Sequence, residues 1–179
     1  MSAQPKTQLT EAAIQDLLYF HCTSKGHILV NPNSCVFGWE SDFISVTKTL
    51  MVHEFEIKIS KSDFRADADK EKHATLLNPV KTIYPEYPSL RRDITLHRPN
   101  YFYYVCPDYV AGPADMPDHA ALIHVVPWGN RWMLKPVTRI RRIHNEPIEQ
   151  KRLIQLSRSL MYRYWRQRLN TIQLPTELK

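Results

Sequence analysis

The chain has 179 residues, with 24 Lys plus Arg against 18 Asp plus Glu, and a formal net charge of +6. That length and a 43% hydrophobic content suit a single domain, residues 1–179, with one core of ordinary size, while 4 glycines and 3 cysteines exclude collagen-like and disulfide-scaffold classes. No run of about 18 apolar residues is present to span a membrane, and the opening MSAQPKTQLTEAA lacks the apolar stretch of a secretory leader, so a soluble cytoplasmic protein is expected.

Taken in chain order, Thr10 is an N-cap for a helix carrying Ile14, Leu17 and Leu18 on one apolar stripe, with Gly26 as its stop. Glu11 falls on the same side as that stripe. Either it needs a partner, because an unpaired buried carboxylate is costly, or it stays in water and offsets the helix dipole. His27 to Val30 reads as a short strand ending at an Asn31-Pro32-Asn33 turn. Two strands follow, Trp39 to Thr47 and Leu50 to Ser60, close enough for a hairpin. The second alternates, placing Val52, Glu54, Glu56 and Lys58 on one face and Phe55, Ile57 and Ile59 on the other.

Ser60 or Ser62 caps a charged helix predicted to reach Leu77. Prolines at 79, 85, 88 and 99 predict a long irregular excursion over 78–99. Tyr101 to Val105 is a strand, 106–118 a loop, and Ala120 to Val126 and Arg131 to Ile140 two further strands around a Pro127–Asn130 turn. A long amphipathic helix runs from about Pro147 to Leu169. This order predicts an α/β domain with a central mixed sheet flanked by helices. Cys22, Cys35 and Cys106 form no C-x-x-C pair, so reduced thiols are expected. The His21, Cys22, His27 and Cys35 spacing matches no familiar zinc module.

Charge is unevenly distributed. Residues 131–179 carry a net +9, and the first 130 residues a net −3. A basic C-terminal segment joined to an acid-bearing front half points to a polyanionic partner. In the final helix Lys151, Arg152, Arg158, Arg163 and Arg166 lie opposite Leu153, Leu156, Leu160 and Tyr164. The basic half suits salt-dependent contact with a nucleic-acid backbone, here from Arg158, Arg163 and Arg166. Trp165 and Arg168 fall between the two halves, placed either to stack on bases or to pack against a second copy in a homodimer.

The chemistry concentrates between Trp39 and Ser60. Glu56 and Lys58, two apart on a strand, leave the same face, and Asp42 on the neighbouring strand reaches it. Two adjacent carboxylates repel unless a divalent cation neutralises them. Mg²⁺ suits such a site, taking few protein carboxylates and keeping several waters.

The spacing of Asp42 and Glu56-Ile57-Lys58 behind a helix bearing Glu11 resembles the PD-(D/E)XK nuclease superfamily. The stretch Glu54-Phe-Glu-Ile-Lys-Ile-Ser-Lys-Ser-Asp63-Phe-Arg-Ala-Asp67 is similar to its MmcB-like and phage branch, with Lys70, Lys72 and His73 at that branch's Lys/His positions. The likeness covers residues 10–140, through Asn100-Tyr-Phe-Tyr-Tyr-Val-Cys-Pro107, and leaves 141–179 as a basic helical extension. Ser41 stands where the motif has Pro. The resemblance implies a restriction-endonuclease-like sheet and a Mg²⁺- or Mn²⁺-dependent nuclease acting on nucleic acid, DNA above RNA, in a bacterial or phage-infected cell. On that basis Asp42, Glu56 and the Ile57 carbonyl bind the metal, Glu11 holds a second ion or a metal-bound water, and Lys58 activates the attacking water. Ser60 either supports Lys58 and a phosphate or is simply a cap. Lys61, Arg65 and Lys70 are candidate phosphate contacts, Lys70 alternatively pairing with Asp67.

Overall fold

The computed structural model describes residues 9–83, 85–87, 89–90 and 92–171, with backbone only at 93 and 171. Helix α1 spans Glu11–Ser24. It starts as expected, with the Thr10 hydroxyl accepting from the Ala13 amide at 3.2 Å. It stops because Lys25 and Gly26 donate their amides to the Cys22 and Thr23 carbonyls, and Gly26 takes a φ of 77° that a side chain would resist.

Strand β1, Leu29–Ser34, runs through the predicted Asn31-Pro32-Asn33 turn instead of ending there. It is an edge strand, where a proline needs no ladder donor, and Asn33 accommodates a φ of 48°. Strands β2, Ser41–Val46, and β3, Val52–Ile57, form the expected antiparallel hairpin. The charged helix predicted over 60–77 is two short helices, α2 at Lys61–Asp67 and α3 at Glu71–Leu77. The predicted irregular excursion holds a separate two-stranded antiparallel sheet, β4 at Val80–Ile83 and β5 at Arg92–Thr95. Strands β6, Tyr101–Pro107, β7, Ala120–Trp128, and β8, Arg131–Pro136, complete the main sheet. Helix α4, Gln150–Thr171, follows. Among the described residues no helix is long and apolar enough to cross a membrane.

The main sheet has six strands in the order β1-β2-β3-β6-β7-β8. The β3–β6 and β6–β7 pairs are parallel and the rest antiparallel, so the fold is a mixed sheet between helices. Strand alternation sorts the core into layers. Phe43, Phe55, Ile57 and Val105 face α1 through Ile14, Leu18 and Cys22. On the opposite face Phe102, Tyr104 and Leu122 pack against Phe64 and Leu76 of α2 and α3. Beside them, Ile44, Val46 and Val52 pack against Ile148, Leu153 and Leu156. Helix α4 therefore covers the β1–β2 side and α2–α3 cover the β6 side. Residues of β2 and β3 that point to this face lie at the seam between them.

Candidate active site

Strand register sets the centre. Phe43 pairs with Phe55 across the β2–β3 hairpin, and one step toward the open end places Asp42 opposite Glu56. The Asp42 Oδ2 accepts the Ile57 amide at 2.7 Å, which fixes its carboxyl against β3. Burial, and then the charge of Glu56, push the Asp42 pKa up to about 6. The Ile57 amide and Lys58 oppose that rise. Asp42 thus sits where its own negative charge is under-compensated.

Glu56 is compensated differently. It is 2% exposed, with its Oε1 2.7 Å from the Lys58 ammonium and its Oε2 2.7 Å from that of Lys72. Lys58, 3% exposed, also lies 3.3 Å from Asp67. Burial pulls the Lys58 pKa down, but Glu56, by charge and hydrogen bond, and then Asp67 and Asp63 lift it above the ordinary lysine range. An ammonium held this firmly stabilises negative charge and orients a water; it does not take a proton at neutral pH. Of the two ways in which Lys58 could activate a water, by orienting it or by deprotonating it, its contacts with Glu56 and Asp67 favour the first.

Asp67 is the hub behind this pair. It is fully buried at the end of α2, where the expected single helix breaks. Its Oδ1 lies 2.7 Å from Lys70 and 3.0 Å from Lys72. Its Oδ2 accepts from the Tyr104 hydroxyl at 2.7 Å and lies 3.0 Å from His73 Nε2. Burial raises its pKa, but His73, Lys70 and the other groups around it hold it well below the usual carboxylate range. The Asp67–Lys70 pair exists, though between a buried acid and a half-exposed lysine instead of on a solvated helix face. His73 Nδ1 continues to His119 Nε2 at 3.1 Å. Tyr104 and His119 were not singled out by the sequence, because their strand and loop positions gave no spacing signal to tie them to residue 67.

Glu54, the third acid on this face, is sequestered from the site. Its Oε1 accepts from Trp39 Nε1 and the Ser41 hydroxyl, each at 2.7 Å, and burial raises its pKa to about 7. Ser41, the departure from the motif's proline, thus has a structural use. Glu11 is exposed and adds to the rise at Asp42. Gln15 connects the two, its Nε2 reaching Glu11 Oε1 at 3.1 Å, Asn33 Oδ1 at 2.9 Å and the Asp42 carbonyl at 3.1 Å. Glu11 is therefore a peripheral acid.

Of the candidate phosphate contacts, Ser60 caps α2, accepting from the Asp63 amide at 3.2 Å. Lys61 and Arg65 are exposed on α2 and Lys70 is half exposed. A cleft of about 500 Å³ lined by Trp39, Lys70, Lys72 and Lys81, with Glu40 and Glu71 among its other walls, adjoins the Glu56–Asp67 network. Arg158 and Arg166 are exposed on α4. Arg163 is instead a structural tie, donating through Nη1 to the Pro32 and Asn33 carbonyls of β1. Among the described residues no group of three or more His, Cys, Asp or Glu side chains is placed to hold a metal. Cys22 is buried and Cys35 exposed.

No family model matches the chain, and no curated protein matches it. Among solved structures it is similar to a protein of unknown function from Silicibacter pomeroyi, with 13% identity, a TM-score of 0.56 and 90% of each chain covered. That likeness bears on the fold.

Proposed function

We propose that this chain is a metal-dependent nuclease with a restriction-endonuclease-like fold, hydrolysing phosphodiester bonds of nucleic acid, DNA above RNA. The observation that carries the reading is the placement of Asp42 beside Glu56 on adjacent strands, with Lys58 2.7 Å from Glu56. The order of elements agrees with it apart from the inserted β4–β5 hairpin: a helix, three antiparallel strands, a helical segment, that hairpin, then a strand parallel to the third.

The donor chemistry suits Mg²⁺ or Mn²⁺, provided that Glu56 exchanges one of its two ammonium partners for the ion. Asp42, Glu56 and the Ile57 carbonyl offer hard oxygen ligands, few enough to leave room for waters and phosphate oxygens. Burial first, and then the charge of Glu56, raise the Asp42 pKa, and a cation bound between the two carboxylates would offset both. When bound, the ion supplies Lewis-acid polarisation of the phosphate and a more acidic water. The chain's own residues do the rest. The Ile57 amide orients Asp42. Lys58, kept charged by Glu56 and Asp67, faces developing negative charge with a fixed ammonium. Lys61, Arg65 and Lys70 at the rim supply positive charge for flanking phosphates.

A second reading, a non-cleaving module that grips nucleic acid or a protein on the same fold, is favoured by one observation: both Glu56 oxygens already face ammonium groups. A cleavage panel of single-stranded, duplex, flapped and junction DNA and of RNA, with Mg²⁺ and Mn²⁺, separates the two. The nuclease reading expects metal-dependent products that fall at least about 100-fold in Asp42→Ala, Glu56→Ala and Lys58→Ala, the scale of losing one preorganised electrostatic group. Binding that persists in EDTA with no product on any substrate supports the module instead.

A further inference from the structure

Helix α4 has two apolar sides. Leu153 and Leu156 join the core. Turned away from them, Ile154, Met161, Tyr162, Trp165 and Leu169 follow one another at helical spacing and are 43–60% exposed. The helix also carries six basic residues, Lys151, Arg152, Arg158, Arg163, Arg166 and Arg168, and no acid.

Arg158 sits in the middle of the outer stripe, four residues after Ile154 and four before Tyr162. Its guanidinium lies 5.9 Å from the Tyr162 ring centre, and that of Arg168 lies 6.0 Å from the Trp165 ring centre. A cation in the middle of an apolar stripe opposes burial in lipid or in a dry interface. A second copy would set the exposed Lys151, Arg158, Arg166 and Arg168 against like charges, since Arg152 and Arg163 bond inward. Flat rings alternating with guanidinium groups suit a ligand that offers both π-faces and negative charge.

The opposite, inward side of the helix is joined to the candidate centre. Asn31 Nδ2 donates to the Leu156 carbonyl, and Arg163 grips Pro32 and Asn33. Asn33 meets Gln15, which meets the Asp42 backbone. The C-terminal half of α4 therefore runs beside the end of β1 that adjoins Asp42.

We infer that the outer face of α4 is a docking surface for an unpaired nucleic-acid strand, with bases stacking on Tyr162 and Trp165 and phosphates meeting Arg158, Arg166 and Arg168. From Ile154 to Leu169 the helix offers about 24 Å of such surface. Delivery of that strand to Asp42 rests on the proposed nuclease reading; the docking itself does not.

The test is fluorescence anisotropy in EDTA with a labelled 20-nucleotide mixed-sequence DNA strand and the same sequence as blunt duplex, using the full chain. The strand is expected to bind more tightly than the duplex. Tyr162→Ala combined with Trp165→Ala is expected to weaken strand binding at least tenfold, because each lost stacking contact matters on that scale. Arg158→Gln is expected to lower the salt dependence by about one phosphate contact. These side chains are exposed, so circular dichroism should report an unchanged fold. Strand affinity unmoved by the aromatic pair overturns the inference. So does equal or tighter duplex binding, a dimer lost in the aromatic variant, or variant-sensitive binding to phosphatidylglycerol vesicles without strand binding. Aromatic-dependent strand binding with no cleavage in Mg²⁺ or Mn²⁺ upholds the docking surface and defeats the nuclease reading separately.

Discussion

Asp67 shows how one buried acid organises its surroundings. It faces three lysines, a histidine and a tyrosine hydroxyl, and removing it would leave several buried cations short of an anion. Asp67→Ala is expected to cost about 3–5 kcal/mol, the range for breaking a buried ion pair by deleting one member. Urea unfolding measures this, and a cost under about 1 kcal/mol would mean that Lys58 and Lys72 are fixed by other groups. Its role was only half legible. The sequence places Asp67 and Lys70 three apart, but nothing local says that the helix breaks between them and turns the carboxylate inward.

A second group titrates on the opposite face. His53 bonds the Tyr103 hydroxyl at 2.8 Å through Nδ1, and burial, with smaller contributions from His27, Lys25 and His21, lowers its pKa to about 3. It is neutral in the fold and protonates near 6.5 when unfolded. Its contribution to stability is therefore present above pH 6.5 and is lost as pH falls from there toward 3. Glu54 and Asp42 act in the opposite sense, since their raised pKa values favour the folded state as pH falls below about 7 and 6. Single-site comparison isolates the histidine. The stability gap between the wild type and His53→Gln should shrink steadily from pH 7 to pH 4, and a gap constant over that range contradicts the assignment.

Among elements, the segment joining β8 to α4 is tied to the sheet by backbone bonds from Ile143 and Ile148 and by one buried side chain. Asn100 is 1% exposed, accepts from the Val52 amide at 2.7 Å and donates to the His144 and Glu146 carbonyls at 3.0 and 2.8 Å. It thus ties β3 to the chain that leads into α4. Asn100→Ala should cost about 2 kcal/mol or more, because buried backbone groups lose their bonds. It should also speed amide exchange in 144–156 relative to β6. Exchange altered equally everywhere would mean that α4 is held independently of this tie.

Elements with strong local signals were readable: the Thr10 cap, the β2–β3 hairpin, the aromatic strand at 101 and the amphipathic C-terminal helix. The failures have physical causes. Pro32 marks a turn by local chemistry, yet an edge strand tolerates it. Prolines in 78–99 hid the β4–β5 hairpin, whose pairing is tertiary information. Periodicity likewise ran α2 and α3 together, because the Asp67 network that separates them depends on His73 and Tyr104.

Across the whole molecule, packing decides which charges remain available. The basic C-terminal segment was evident from composition, but its arginines divide by contact. Arg152 donates to the Val36 carbonyl and Arg163 to β1, so both anchor α4, while Arg158 and Arg166 face outward. On the same face of the sheet, α4 and α2–α3 cover flanking strands, and Glu56 between them is itself buried, 2% exposed. The Asp42–Glu56 pair was legible as Asp42 and Glu-x-Lys, because adjacent strands with a period of two fix the geometry. Of the two lysines neutralising Glu56, Lys58 was legible from its own strand, but the contact of Lys72 was not, since it arrives from a helix sixteen residues away.

Metal-dependent cleavage at this centre requires that carboxylate pair to accept a divalent cation. Isothermal titration of the chain with Mn²⁺ tests this most directly. Saturable binding in the wild type, lost in Asp42→Asn and Glu56→Gln while Glu54→Gln retains it, is the predicted result. Absence of Mn²⁺ binding in the wild type, or binding indifferent to Asp42 and Glu56, would contradict it.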